Sequence, residues 1–216
     1  MIATTLFYNG PEEEGKSIFK PFFDIPHIPI PDSPGTPSPC ERPYVDLNSF
    51  MNNIVPYGNG SYFKGFVHKS PHYPSISLAF DHLIEAVSPQ FHGTMVFEYL
   101  PLSKVNSIPK GATAFRRDPT PSVLVVFHWD SNPENGHGPM VDRARASAYK
   151  VADIIEQHQE GVSSGQKLGY SNYDSAAGES DRAKAVFGEN YPRLQGIKKK
   201  YDPDNIFNKW FPITPA

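Results

Sequence analysis

Apolar positions along the chain alternate between a period of two and a period near 3.6, and the changes of period mark out its elements. Ile2 to Tyr8 is rich in β-branched and aromatic residues and stops at Asn9-Gly10-Pro11, which predicts a strand closed by a turn. Pro11 and the three glutamates after it suit the first turn of a helix with an apolar stripe of Ile18, Phe19, Phe22 and Phe23. Pro26 to Pro43 is proline-rich and aperiodic, so it reads as a surface loop at 26–43, either near a cleft or as an insert. A short helix is expected over Tyr44 to Asn53 and a half-buried strand over Gly60 to His68. Ser75 to Val87 returns to helical spacing through Ile76, Ala79, Phe80 and Leu83. Strands are predicted over Gly93 to Tyr99, Ala112 to Arg116 and Val123 to Trp129, with Pro101, Pro109, Pro119 and Pro121 confined to turns and strand ends. The strongest helix runs from Val141 to Gln159 on a face of Val141, Ala144, Ala148, Val151 and Ile155. Two more helices follow, one beginning near Glu179 and one over 189–200.

This order predicts an α+β class: one domain over 1–216, with an antiparallel sheet of about five to seven strands, helices covering one face and the other face left for something else. Composition then removes whole classes of function. A net charge of -3 with interspersed signs offers no basic stripe for a phosphate backbone, so no nucleic-acid partner is expected. Lys198-Lys199-Lys200 sits where cations complement a helix end. The single cysteine, Cys40, excludes an internal disulfide and a cysteine-based metal site, and the eight histidines show no ligand spacing, so no metal is expected. The apolar runs are shorter than a membrane span and the first residues lack a leader's pattern, which makes a cytoplasmic location the default expectation. Gly-x-Gly-x-x-Gly, Walker and Gly-x-Ser-x-Gly motifs are all missing.

The last third carries the specific motifs: Gly169-Tyr170-Ser171-Asn172-Tyr173-Asp174, then Phe187-Gly188-Glu189-Asn190-Tyr191-Pro192-Arg193-Leu194, then Lys200-Tyr201-Asp202-Pro203-Asp204-Asn205-Ile206-Phe207. Each has a plain reading. The tyrosines suit a loop anchored through a hydroxyl. Asp202 to Asn205 suit a turn that ends a helix, with Phe207 expected to dock in the core, and Arg193 suits a structural anchor.

As an ordered set, these motifs (168–208) resemble the C-terminal segment of the berberine-bridge-enzyme-like flavin oxidases. Met95 to Pro101 and Gly111 to Arg117 also resemble that family, with Arg116 where a histidine or similar residue is usual. The whole chain is similar to the family's substrate-covering half, without the N-terminal FAD domain. The resemblance implies that Asn172 approaches the cofactor and that Tyr170 or Tyr173 faces the reacting atom, serving as a base only if its surroundings lower its pKa. Several plant members carry an acidic base on the strand ending in tryptophan. Here that strand, Ser122 to Trp129, has no carboxylate, so the candidates are Tyr173, Tyr170 and His128, the last of which also suits a structural role. His128, Trp129, Glu98 and Phe115 are candidate substrate contacts, although alternation sets Glu98 opposite Phe97 and Tyr99, on the solvated side.

The implied function is FAD-linked oxidation of a hydroxyl or amine carbon of a small natural product in secondary metabolism, with FAD not bound by this chain alone. The implied partners are a small-molecule substrate and either a separate flavin domain or a second copy meeting the open sheet face. The alternatives are a flavin-independent isomerase or cyclase using the same cleft, and a non-catalytic remnant or subunit.

Overall fold

The computed structural model describes residues 1–30, 39–49, 57–115, 117, 121–130, 137–160, 170–173 and 180–216. Residues 31–38 of the proline-rich loop, 50–53 of the expected short helix, Arg116, Pro119, and 168–169 and 174–179 of the motif region lie outside the described residues. The chain divides into two compact units, Met1–Pro56 and Tyr57–Ala216.

In the first unit, Ile2 to Tyr8 is not a strand. Its residues pair with no ladder among the described residues, and Met1 and Ile2 are 93% and 84% exposed. β-Branched composition without a hydrogen-bonding neighbour does not make a strand. Helix α1 (Glu12–Ile18) starts at Pro11 as expected, with three glutamates in its first turn and Lys16 reaching back to Glu12 at 2.6 Å. A break at Phe19 separates it from α2 (Lys20–Phe23), and Tyr44–Asn48 forms a short 3-10 turn.

The second unit is built on β1 (Gly60–Val67), β2 (Phe91–Glu98) and β3 (Ser122–Trp129). They form an antiparallel sheet in the order β1-β3-β2, with Gly65 opposite Leu124 and Glu98 opposite Ser122. Among the described residues the sheet has three strands rather than five to seven. Of the two missing predicted strands, the second has a visible competitor. Lys110–Ala112 is a 3-10 turn, and the carbonyls of Lys110, Gly111 and Thr113 accept from the side chains of Asn190 and Arg193 instead of from a ladder.

Helices α3 (Tyr73–Ala86) and α5 (His137–Glu156) cover one face of the sheet. Ser75, Ala79 and Leu83 recur every four residues along the buried side of α3, while Ala144, Ala148, Val151 and Ile155 recur at steps of four, three and four along that of α5. These meet Tyr62, Phe66, Phe91, Val125 and Phe127 from the strands in the main core. A four-residue helix α4 (Ser103–Asn106) follows β2.

The C-terminal helices α6 (Ser180–Phe187) and α7 (Tyr191–Tyr201) enclose a second cluster of Ala183, Val186, Tyr191 and Phe211. Pro192 lies in the first turn of α7, and the three lysines in its last. Beyond it Asp202 accepts from the backbone N–H groups of Ile206 and Phe207 at 2.8 and 3.0 Å, and its carboxyl is held below the usual range first by the Lys198 ammonium. Asn205 completes the turn at φ 54°. This turn forms as the sequence predicts, but Phe207 does not dock in the core. It is 81% exposed, and Phe211 takes the buried position four residues later.

Candidate active site

Alternation along the strands gives the sheet a second face, opposite the helices, bearing Gly65, Leu124, Val126, Val96 and Glu98. A short 3-10 turn, Ser171–Tyr173, sits on this face over Gly65. Its backbone closes by a bond from Tyr173 N–H to the Tyr170 carbonyl at 2.9 Å. From there the Tyr173 side chain crosses to β2, where its hydroxyl donates to Glu98 Oε1 at 2.9 Å.

The aromatic wall beside this pair is continuous. The Tyr170 and Tyr173 rings meet edge to face at 5.0 Å between centroids, and Phe115 meets Tyr170 at 6.2 Å. Asn172 Nδ2 donates to the Tyr170 hydroxyl at 2.9 Å, which leaves that hydroxyl's own hydrogen for another acceptor. Arg117 steadies the segment carrying Phe115: its guanidinium donates to the Val105 carbonyl and to Thr113 Oγ1 while lying 5.6 Å over the Phe115 ring.

The Tyr173 pKa is raised well above the ordinary phenol value, first by burial, then by its hydrogen bond to Glu98, by the Glu98 charge and by Tyr170. The phenol is therefore held as a donor. In this pair the carboxylate is the atom set that can accept a proton.

The structure thus brings together Tyr173, Tyr170, Asn172, Phe115 and Glu98, and separates them from the other two candidates. Glu98 is half-buried under Tyr173 rather than solvated, on the face opposite Phe97, which packs on the core. His128 shares the open face but lies six residues along β3 from Ser122, about 20 Å away at the strand's rise. There its ring stacks on His92 at 4.8 Å, and its pKa is lowered first by burial and then by His92. Trp129 is on the helix side, 2% exposed and stacked on Phe91 at 6.1 Å, a core residue. Arg193 is an anchor, donating to the Gly111 carbonyl at 2.8 Å.

The Tyr173–Glu98 pairing escapes the sequence because it joins residues 75 positions apart. The sequence signal that could have pointed to it is Gly65, a glycine inside a strand, which commonly marks a close backbone approach.

Among the described residues no group of three or more His, Cys, Asp or Glu could hold a metal ion, and no helix is long and apolar enough to cross a membrane. For FAD, the groups present fit the border of a flat ring, namely Asn172, Tyr170 and Tyr173. They do not amount to a pyrophosphate cradle among the described residues.

The chain itself has relatives among flavin-linked oxidoreductases. Residues 169–213 match the family described as berberine and berberine like. An FAD-linked oxidoreductase, pgmH, of Aspergillus terreus is 28% identical over 228 residues, covering 98% of this chain and 43% of that protein. The crystal structure of a glucooligosaccharide oxidase from Acremonium strictum superposes with a TM-score of 0.61 at 17% identity, covering 80% of this chain and 38% of that one. The berberine bridge enzyme of Eschscholzia californica gives a TM-score of 0.53 at 20% identity, covering 79% and 36%. The chain is similar to the berberine-bridge-enzyme-like FAD-linked oxidoreductases, and it spans less than half the length of the curated relative pgmH.

Proposed function

We propose that this chain forms the substrate-side half of an FAD-linked oxidase site, in which Tyr173 and Glu98 act together as the base that deprotonates a hydroxyl or amine of a small molecule from secondary metabolism. The observation that carries this reading is the 2.9 Å bond from the Tyr173 hydroxyl to Glu98 Oε1 beneath the Tyr170–Phe115 wall. As the substrate's O–H or N–H proton moves to the Tyr173 oxygen, the phenolic hydrogen passes along the existing bond to Glu98. The net acceptor is the carboxylate, and no free phenolate has to form. FAD, when bound, supplies the acceptor for the two electrons and the hydrogen leaving the adjacent carbon. Tyr170 and Phe115 orient the substrate, and Asn172 holds the Tyr170 hydroxyl toward the ring border. The flavin-binding partner, whether a separate domain or chain, covers the open face of the sheet. The matches to FAD-linked oxidoreductases favour this redox reading over a flavin-independent isomerase or cyclase.

The test is steady-state kinetics of the chain joined to its flavin-binding domain or partner and loaded with FAD, carrying Glu98→Gln or Tyr173→Phe. Each variant is expected to lose about 10²- to 10⁴-fold in kcat/KM, the usual worth of a positioned acid or base. The flavin spectrum should be unchanged. Activity within threefold of wild type in both variants would refute the proposal.

A further inference from the structure

Gly65 lies on the open face directly under the Ser171–Tyr173 turn. A Cβ at this position would stand 2.8 Å from Tyr173 Cβ, 3.3 Å from the Tyr170 carbonyl oxygen and 3.5 Å from the Tyr173 carbonyl oxygen. Two of these atoms are backbone and the third is the root of the Tyr173 side chain. None can swing aside as the tip of a flexible chain would, so a side chain here has to lift the turn itself. The conformation of Gly65 does not demand glycine, since its φ is outside the left-handed region. Glycine within a strand instead costs about 0.5–1 kcal/mol relative to alanine. What the position requires is room.

The room matters because of where Tyr173 must reach. Its backbone rests on β1, and its hydroxyl meets Glu98 on β2, at the other edge of the sheet with β3 between them. Two strand spacings amount to about 10 Å. A turn raised by even one ångström tilts the ring and takes the hydroxyl out of hydrogen-bonding range of the carboxylate.

We propose that Gly65 is a positioning residue: the absence of a side chain lets the 170–173 turn lie flat on β1, and this places the Tyr173 hydroxyl on Glu98. The inference rests on the Tyr173–Glu98 reading of the site for its catalytic consequence, and on geometry alone for its structural one.

The experiment follows the Tyr173 ring carbon by NMR in the full chain labelled at tyrosine Cζ, with the resonance assigned by Tyr173→Phe. Wild-type Tyr173 is expected to stay protonated through about pH 11, where an ordinary phenol with a pKa of about 10 has ionised. In Gly65→Ala its titration should move down by at least about one pH unit, and kcat/KM of the chain joined to its flavin-binding domain or partner and loaded with FAD should fall at least tenfold. If Gly65→Ala does not fold, the substitution is repeated in a Tyr173→Gly background, which removes the nearest clashing atom. There it should fold and unfold at a urea concentration no lower than that of Tyr173→Gly alone. An unmoved Tyr173 titration in Gly65→Ala, or equal damage from Gly65→Ala in both backgrounds, overturns the proposal. A moved titration with full turnover upholds the seat at Gly65 and overturns the catalytic role of the pair.

Discussion

Burial, a carboxylate neighbour and a second phenol all hold the hydrogen on Tyr173, so its side chain conveys a proton rather than storing a negative charge. His68 shows the opposite response to the same kind of surroundings. It is 1% exposed, its Nε2 shares a hydrogen with the Tyr99 hydroxyl at 3.0 Å, and burial lowers its pKa below the ordinary 6.5. A pKa depressed in the folded state contributes stability that is present above the unfolded value and lost as pH falls below it. The urea midpoint of the wild type should therefore decline as pH drops from about 6.5 toward 4.5. His68→Phe, whose ring can rest on Phe97 as the imidazole does, should flatten that part of the curve. An identical slope in the variant would remove His68 from the account.

Two elements of the helical layer are joined by a polar clasp that periodicity gives no sign of. The rings of His72, before α3, and His158, after α5, stack at 4.3 Å, and both present Nδ1 to the Ser75 hydroxyl, at 2.6 and 2.8 Å. The Ile154 carbonyl lies 3.3 Å from His158 Nδ1 and can only accept. His158 therefore carries its hydrogen on Nδ1, and the Ser75 hydroxyl donates to His72. Gln159 adds bonds to the backbone of Lys69 and Ser70. Ser75→Ala leaves both imidazole nitrogens without their shared partner and should cost about 1–3 kcal/mol in urea unfolding. A cost below about 0.5 kcal/mol would mean the clasp contributes little beyond packing.

At this same scale the sequence was readable wherever burial sets the period. The alternation in Gly60 to His68 and Val123 to Trp129, and the 3.6 spacing in Val141 to Gln159, correspond to β1, β3 and α5 because each packs on one core. It failed at Ile2 to Tyr8, where nothing pairs, and at Ala112 to Arg116, where Asn190 and Arg193 bond the backbone first. Of the candidate site, the tyrosines and Asn172 stood out through the family resemblance of a short local motif. The place of Glu98 depends on strand pairing and on how a distant turn lies, neither of which the chain displays residue by residue.

The pgmH relative is more than twice as long as this chain, and the candidate site among the described residues offers no pyrophosphate cradle. The 216-residue chain by itself is accordingly expected to bind FAD weakly or not at all. Titration with FAD should leave flavin fluorescence unquenched at micromolar protein, and tight one-to-one quenching would contradict this. The strand order β1-β3-β2 carries a consequence of another kind. The middle strand is the last of the three to be synthesised, so a nascent chain ending before Ser122 holds two outer strands whose partner among the described residues is not yet made. Sheet assembly must wait for that segment and then close two loops together, which makes the event late, cooperative and slow relative to the helices. Until then the aromatic edges of both outer strands are open to chaperones or to one another.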